Sequence, residues 1–127
     1  MSPLPDEAIV VRGGANTPES FARGTGVALD EQGRLQGVSV NATGGVSLDE
    51  LTAPDPSTGY PGIPHTQVGV ATVGAVRAAG GDVIPTPGRR NPRHATLTGL
   101  TADQAAALFR PTVLNPNRVA RRKGRSP

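Results

Sequence analysis

Apolar residues along this chain fall into short blocks whose spacing changes from one block to the next. Ala8-Ile9-Val10-Val11 is an unbroken apolar run that ends at Arg12 and the pair Gly13-Gly14. A run of that length closed by a turn signal predicts a short buried strand. Thr17-Pro18-Glu19 follows, with a capping hydroxyl, proline at the first helical position and an acid beside the positive end of the dipole. These residues predict a short helix through Arg23 with Phe21 turned inward. Gly26 to Leu29, the polar stretch Asp30-Glu31-Gln32-Gly33 and Arg34 to Asn41 read as a hairpin. In it Gly33 supplies the left-handed turn residue, and Val38 and Val40 share a face.

Ser47 and Glu50 have capping-box spacing and predict a helical turn around Leu48 and Leu51. Residues 53–64 hold four prolines and two glycines, which makes a long loop of the functional or mobile kind. The spacing of Val70, Val73 and Val76 predicts a helix from Thr66 to Ala79, closed by Gly80-Gly81. Asp82 to Pro85 is a short strand, a basic loop follows, and Arg93 to Thr98 alternates as another strand. Thr101 and Gln104 form a second capping box that opens a helix over 102–109, with Leu108 and Phe109 inward and Pro111 as its stop. The sum is an α+β fold, a small and mostly antiparallel sheet with short helices packed on one face. One domain over 8–114 is expected, with a loose lead-in at 1–7 and a disordered basic tail at 115–127.

Composition sharpens this picture. Of 127 residues, 17 are Gly and 13 are Pro, only 35% are hydrophobic and 2% are aromatic, so the core is small and the chain rich in turns. With no Cys, disulfide scaffolds, thiol nucleophiles and cysteine–zinc sites are excluded. Two His residues without HxxxH spacing exclude a histidine-rich metal centre. No apolar run reaches the length of a membrane span and no leader pattern opens the chain, which predicts a cytoplasmic protein or an effector delivered into a target cell. The net charge of +3 is local: Arg118, Arg121, Arg122, Lys123 and Arg125 belong to the last ten residues, leaving 8 basic against 10 acidic residues elsewhere. Such a tail binds nucleic acid or an acidic partner through counterion release, without reading sequence.

Chemistry concentrates in residues 89–98, RRNPRHATLT. Alternation puts His94, Thr96 and Thr98 on one face of a strand and Ala95 and Leu97 on the other. An imidazole serves as general base near neutral pH, and the guanidinium groups of Arg89, Arg90 and Arg93 suit a phosphate. His65 is the one other imidazole, placed at the expected start of a helix whose dipole would act on it. Together these residues suffice for metal-free RNA cleavage, in which a 2′-hydroxyl attacks its own phosphodiester.

A second constellation lies at the opening strand. The order of an apolar strand, Arg12, a short Gly-containing loop, Pro18, Phe21 and Gly24 resembles the opening of ADP-ribosyltransferase toxins of the cholera and pertussis type. The likeness covers residues 8–41. It implies that Arg12, with Gly13 beside it, holds the phosphates or ribose of NAD. It also implies that Ser39-Val40-Asn41 stands where the family has a pocket-shaping Ser-Thr-Ser, of which only the first Ser matches. The family's late glutamate has no counterpart, since no Glu follows Glu50. In size and element order the chain is also similar to barnase- and EndoU-like ribonuclease toxin domains.

The leading expectation is therefore a bacterial toxin-type effector, a metal-independent endoribonuclease without cofactor. His94 would be its general acid/base, supported by Thr96, His65 and Arg12, with Arg89, Arg90 and Arg93 on the phosphate. RNA and a cognate antitoxin or immunity protein would be its partners. The alternative is an ADP-ribosyltransferase-like toxin that takes NAD as substrate at Arg12, Gly13, Ser39 and Asn41. A third reading is a non-catalytic protein that binds nucleic acid or a partner through the tail and the basic loop.

Overall fold

In the computed structural model, which describes residues 3–117, strand alternation sorts side chains onto two unlike faces. The elements in chain order are β1 (Ile9–Gly13), α1 (Pro18–Ala22), β2 (Ala28–Leu29), β3 (Leu35–Gln36), β4 (Val38–Thr43) and α2 (Leu48–Thr52). They continue with β5 (Gln67–Thr72), α3 (Val73–Ala78), β6 (Asp82–Pro85), β7 (His94–Thr98), α4 (Ala102–Phe109) and β8 (Val113–Leu114). Six strands form one sheet in the order β6-β7-β4-β1-β5-β8, with every neighbouring pair antiparallel. β2 and β3 make the small separate hairpin, and Gly33 in its turn has φ 76°, as the turn chemistry requires. The α+β fold with a mostly antiparallel sheet is the one its patterning predicts.

Val10, Val40, Ala42, Ala95 and Leu97 point to one side and meet Phe21 of α1, Val73 and Val76 of α3, and Phe109 of α4. The two phenylalanines pack edge to face with ring centres 5.6 Å apart, closing the larger core. Leu51 of α2 joins Val11, Ile63 and Val68 in a smaller cluster on the opposite side. Three helices thus share a face as expected, while α2 and the loop after it cover part of the other.

The helix starts follow from local chemistry. Thr17 Oγ1 accepts from Ser20 N at 3.2 Å, and Ser47 Oγ accepts from Glu50 N at 3.2 Å. Thr101 and Gln104 complete a reciprocal capping box on α4. The expected helix over 66–79 is instead half strand. Gln67–Thr72 pairs with β1, placing Val68 and Val70 in the smaller cluster, and only Val73–Ala78 is helical. A valine series fits both periods, and pairing with a distant strand decides between them.

The ends also differ from expectation. Leu4 is buried in the larger core, and Asp6 pairs with Arg77 at 2.6 Å, so residues 3–7 are anchored. Asn115 is buried, and its Nδ2 donates to the carbonyls of Ile63 at 2.9 Å and His65 at 2.8 Å. Past Leu114, Asn117 is also bonded into the fold, its Nδ2 donating to Asp49 O and Thr52 Oγ1, each at 2.7 Å. The basic stretch 118–127 lies outside the described residues.

Candidate functional site

The face away from α1, α3 and α4 carries the polar residues of the central strands. β4 presents Ser39 and Asn41 there, and the register sets Ser39 opposite Thr96 and Asn41 opposite His94 on β7. β1 contributes Val11 and Gly13. The loop 53–64 and the following His65 fold over this surface and leave a cleft of about 290 Å³. His65, His94, Asn41, Ser39, Tyr60 and Asn91 supply its polar side chains, and among the described residues no carboxylate lines it.

Asn41 is the hub. It is only 5% exposed, and each of its polar hydrogens and its oxygen has a partner. Its Nδ2 donates to Leu51 O at 2.9 Å and to Tyr60 Oη at 3.0 Å, while its Oδ1 accepts from Asn91 Nδ2 at 2.8 Å. One buried amide thereby ties α2, the 53–64 loop and the β6–β7 loop to the sheet. Because the Tyr60 phenol accepts from Asn41, its own proton is left to donate.

The proline-rich loop is a fixed wall. Asp55 Oδ1 accepts from Ser57 N at 3.0 Å and Ser57 Oγ at 2.6 Å, and Asp55 N donates to Tyr60 O at 2.8 Å. The hydrogen bond from the Ser57 hydroxyl is the main reason the Asp55 carboxyl lies below its usual range. Thr58 Oγ1 donates to Arg90 O at 2.7 Å, joining the loop to the β6–β7 loop.

The two histidines reach the cleft from different elements. His94 opens β7, and its Nδ1 lies 2.9 Å from Thr86 Oγ1 and 3.1 Å from Thr86 O. His65 precedes β5 rather than a helix, so the expected dipole has no helix end to arise from. Its ring packs over Gly13, where an added Cβ would sit 2.3 Å from Nδ1 and 2.8 Å from Ile63 Cγ2. Only glycine leaves room for the ring at that place.

The remaining expected residues divide. The Arg12 backbone lines the cleft, but the register puts its side chain opposite Gly69, on the helix-covered face. There its guanidinium lies 4.2 Å from the Phe21 ring centre and donates to Asn16 Oδ1 at 3.1 Å, Ser20 Oγ at 3.3 Å and Ser20 O at 2.9 Å. Burial pushes this guanidinium below its ordinary value. Arg93 turns to α2, donating to Glu50 O and lying 3.9 Å from the Glu50 carboxylate. Arg89 and Arg90 are exposed on the β6–β7 loop, outside the cleft lining. Thr96 stands one hydrogen bond from the His94 contact, 2.9 Å from Thr86 Oγ1.

His94, His65, Ser39, Asn41 and Gly13 thus share one cleft. Tyr60 and Asn91 are cleft residues that sequence reasoning missed, because loop positions carry no period to aim them. Among the described residues, no three His, Cys, Asp or Glu side chains converge as metal ligands, and no helix is long and apolar enough to cross a membrane. No protein-family model, curated protein or solved structure matches the chain.

Proposed function

We propose that this protein is a toxin-type endoribonuclease that cuts RNA without a metal ion, with His94 and His65 as its base and acid. The observation that carries the reading is the meeting of both imidazoles of the chain in one cleft whose other polar groups are neutral. In such a site acid–base work falls to the histidines. His94 takes the proton from a ribose 2′-hydroxyl as its oxygen forms a bond to the adjacent phosphorus. The bond from phosphorus to the 5′-oxygen breaks, and His65 gives that oxygen a proton. A 2′,3′-cyclic phosphate and a 5′-hydroxyl result. The phenol proton of Tyr60 and the hydroxyl of Ser39 would serve as donors to the phosphoryl oxygens. Arg89 and Arg90 would draw the RNA backbone from the rim, and the basic tail would add affinity without sequence preference. A neutralising antitoxin or immunity protein belongs to the same proposal.

The test is incubation of purified protein with RNA in chelator, with the ends of the products analysed. Wild type should leave cyclic phosphate and 5′-hydroxyl ends. His94→Ala should lower the rate by about 10²–10⁴-fold, and His65→Ala by a lesser factor in the same range. Full cleavage by His94→Ala, or none by wild type, would overturn the proposal.

One observation favours a second reading, an ADP-ribosyltransferase-like activity on NAD. Gly13, Ser39, Asn41 and the Arg12 backbone all line the cleft. Against it, the Arg12 guanidinium faces α1. NAD consumption that disappears in Arg12→Ala, with the fold retained, would favour this reading over the first.

A further inference from the structure

We infer that Thr86 is a positioning residue that holds His94 in its Nδ1–H tautomer and so makes Nε2 the proton acceptor at the cleft. This rests on His94 as the base proposed above, and it assigns the ring atom that does the work.

Thr86 follows β6 and faces His94 across the ladder, donating its backbone N–H to His94 O at 3.0 Å. The His94 ring folds back over Thr86, and Nδ1 meets two oxygens of that one residue, the carbonyl at 3.1 Å and the hydroxyl at 2.9 Å. A carbonyl oxygen has no proton to give, so the proton between it and Nδ1 belongs to the ring. The hydroxyl then accepts from the same N–H and turns its own proton to Thr96 Oγ1, 2.9 Å away. With the opposite direction, the hydroxyl would donate to Nδ1 and leave a bare nitrogen lone pair against the carbonyl. One orientation satisfies all three contacts.

The consequence is chemical. Which ring nitrogen carries the proton is set by the hydrogen bond that the other makes. A free neutral histidine favours the Nε2–H form, which would offer the cleft a donor. The grip of Thr86 reverses that preference and leaves the Nε2 lone pair for the 2′-hydroxyl proton. Thr86 itself is exposed and does not line the cleft, so it acts through His94 alone.

The experiment uses protein labelled with ¹⁵N in its histidine rings, recorded at alkaline pH where imidazoles are neutral, with His65→Gln to assign the two rings. Wild-type His94 should give the Nδ1–H signature. Thr86→Val removes the hydroxyl acceptor and keeps the carbonyl, so it should shift the population only in part toward Nε2–H. It should lower kcat by less than His94→Ala does, with KM unchanged, while Thr86→Ser should match wild type. An Nε2–H signature in wild type would overturn the inference, and so would a Thr86→Val variant that loses kcat with its Nδ1–H signature intact. The spectra need no RNA. Failure of wild type to cut RNA would therefore strike the nuclease reading, while the tautomer result would stand or fall separately.

Discussion

The two faces of the central sheet are built from the same strands and behave as different materials. β1, β4 and β7 send Val10, Val40 and Ala95 into a helix-covered core, and Val11, Asn41 and His94 to the other side. On the covered face three helices close over apolar side chains, and even the charged Arg12 is gripped by an amide, a hydroxyl and a ring. On the other face the cover is the short helix α2 and the hydrogen-bonded loop after it, and a cleft remains. The covered face supplies a packed base for the strands, on which polar groups of the opposite face are aimed.

The comparison can be broken most forcefully at Phe109. It is fully buried against Phe21, and truncation to Ala should cost about 3–5 kcal/mol, read by urea denaturation. A loss below about 1 kcal/mol would mean that the helix-covered face is not the main source of stability. Arg12→Met is the next step down. It keeps much of the packing on Phe21 but leaves Oδ1 of fully buried Asn16 without its donor, at a cost of about 1–3 kcal/mol. Its effect should appear in stability rather than in RNA cleavage. If cleavage collapses while the midpoint of unfolding holds, Arg12 belongs to the cleft chemistry and the division of faces fails.

That division was partly legible in advance. Alternation along 93–98 set His94 and Thr96 against Ala95 and Leu97, and the capping residues Thr17, Ser47 and Thr101 marked three helix starts, because both signals act over a few residues. Local pattern left β5 undecided. Val68 and Val70 alternate across Gln67–Thr72, but Val70 also stands at helical spacing from Val73 and Val76, and pairing with β1 decides. The same limit applies to the site. That Ser39 and Asn41 share a face with His94, while Arg12 lies on the other, follows from the register of β1, β4 and β7, which separate stretches of chain cannot announce. Tyr60, Asn91 and Thr86 sit in loops aimed by hydrogen bonds to distant residues.

Gly13→Ala sharpens the comparison from the open side. The added methyl meets the His65 ring and Ile63 Cγ2. His65 is exposed and can swing away, so the stability cost should be near the lower end for overpacking, about 1 kcal/mol. Cleavage should fall toward the level of His65→Ala. Unchanged cleavage in Gly13→Ala, beside a fall in His65→Ala, would mean that this seat does not place the ring.

The smallest effect concerns the wall of the cleft. Asp55 is held ionised chiefly by the Ser57 hydroxyl, and its folded-state pKa is depressed. A depressed carboxylate contributes stability that is fully present above its unfolded pKa and is lost as pH falls through the folded one. The turn at 55–60 should therefore loosen only below about pH 4, the ordinary range of Asp. Hydrogen exchange at the Ser57 amide, which donates to Asp55 Oδ1, reads this directly. Wild type should be better protected than Asp55→Asn at pH 6, and the difference should shrink as the pH is lowered past that range. A gap that stays constant would assign the grip to the geometry of the turn alone, with no part for the charge. The helix-covered face, whose core residues do not titrate, should show no matching change at the amides of β1.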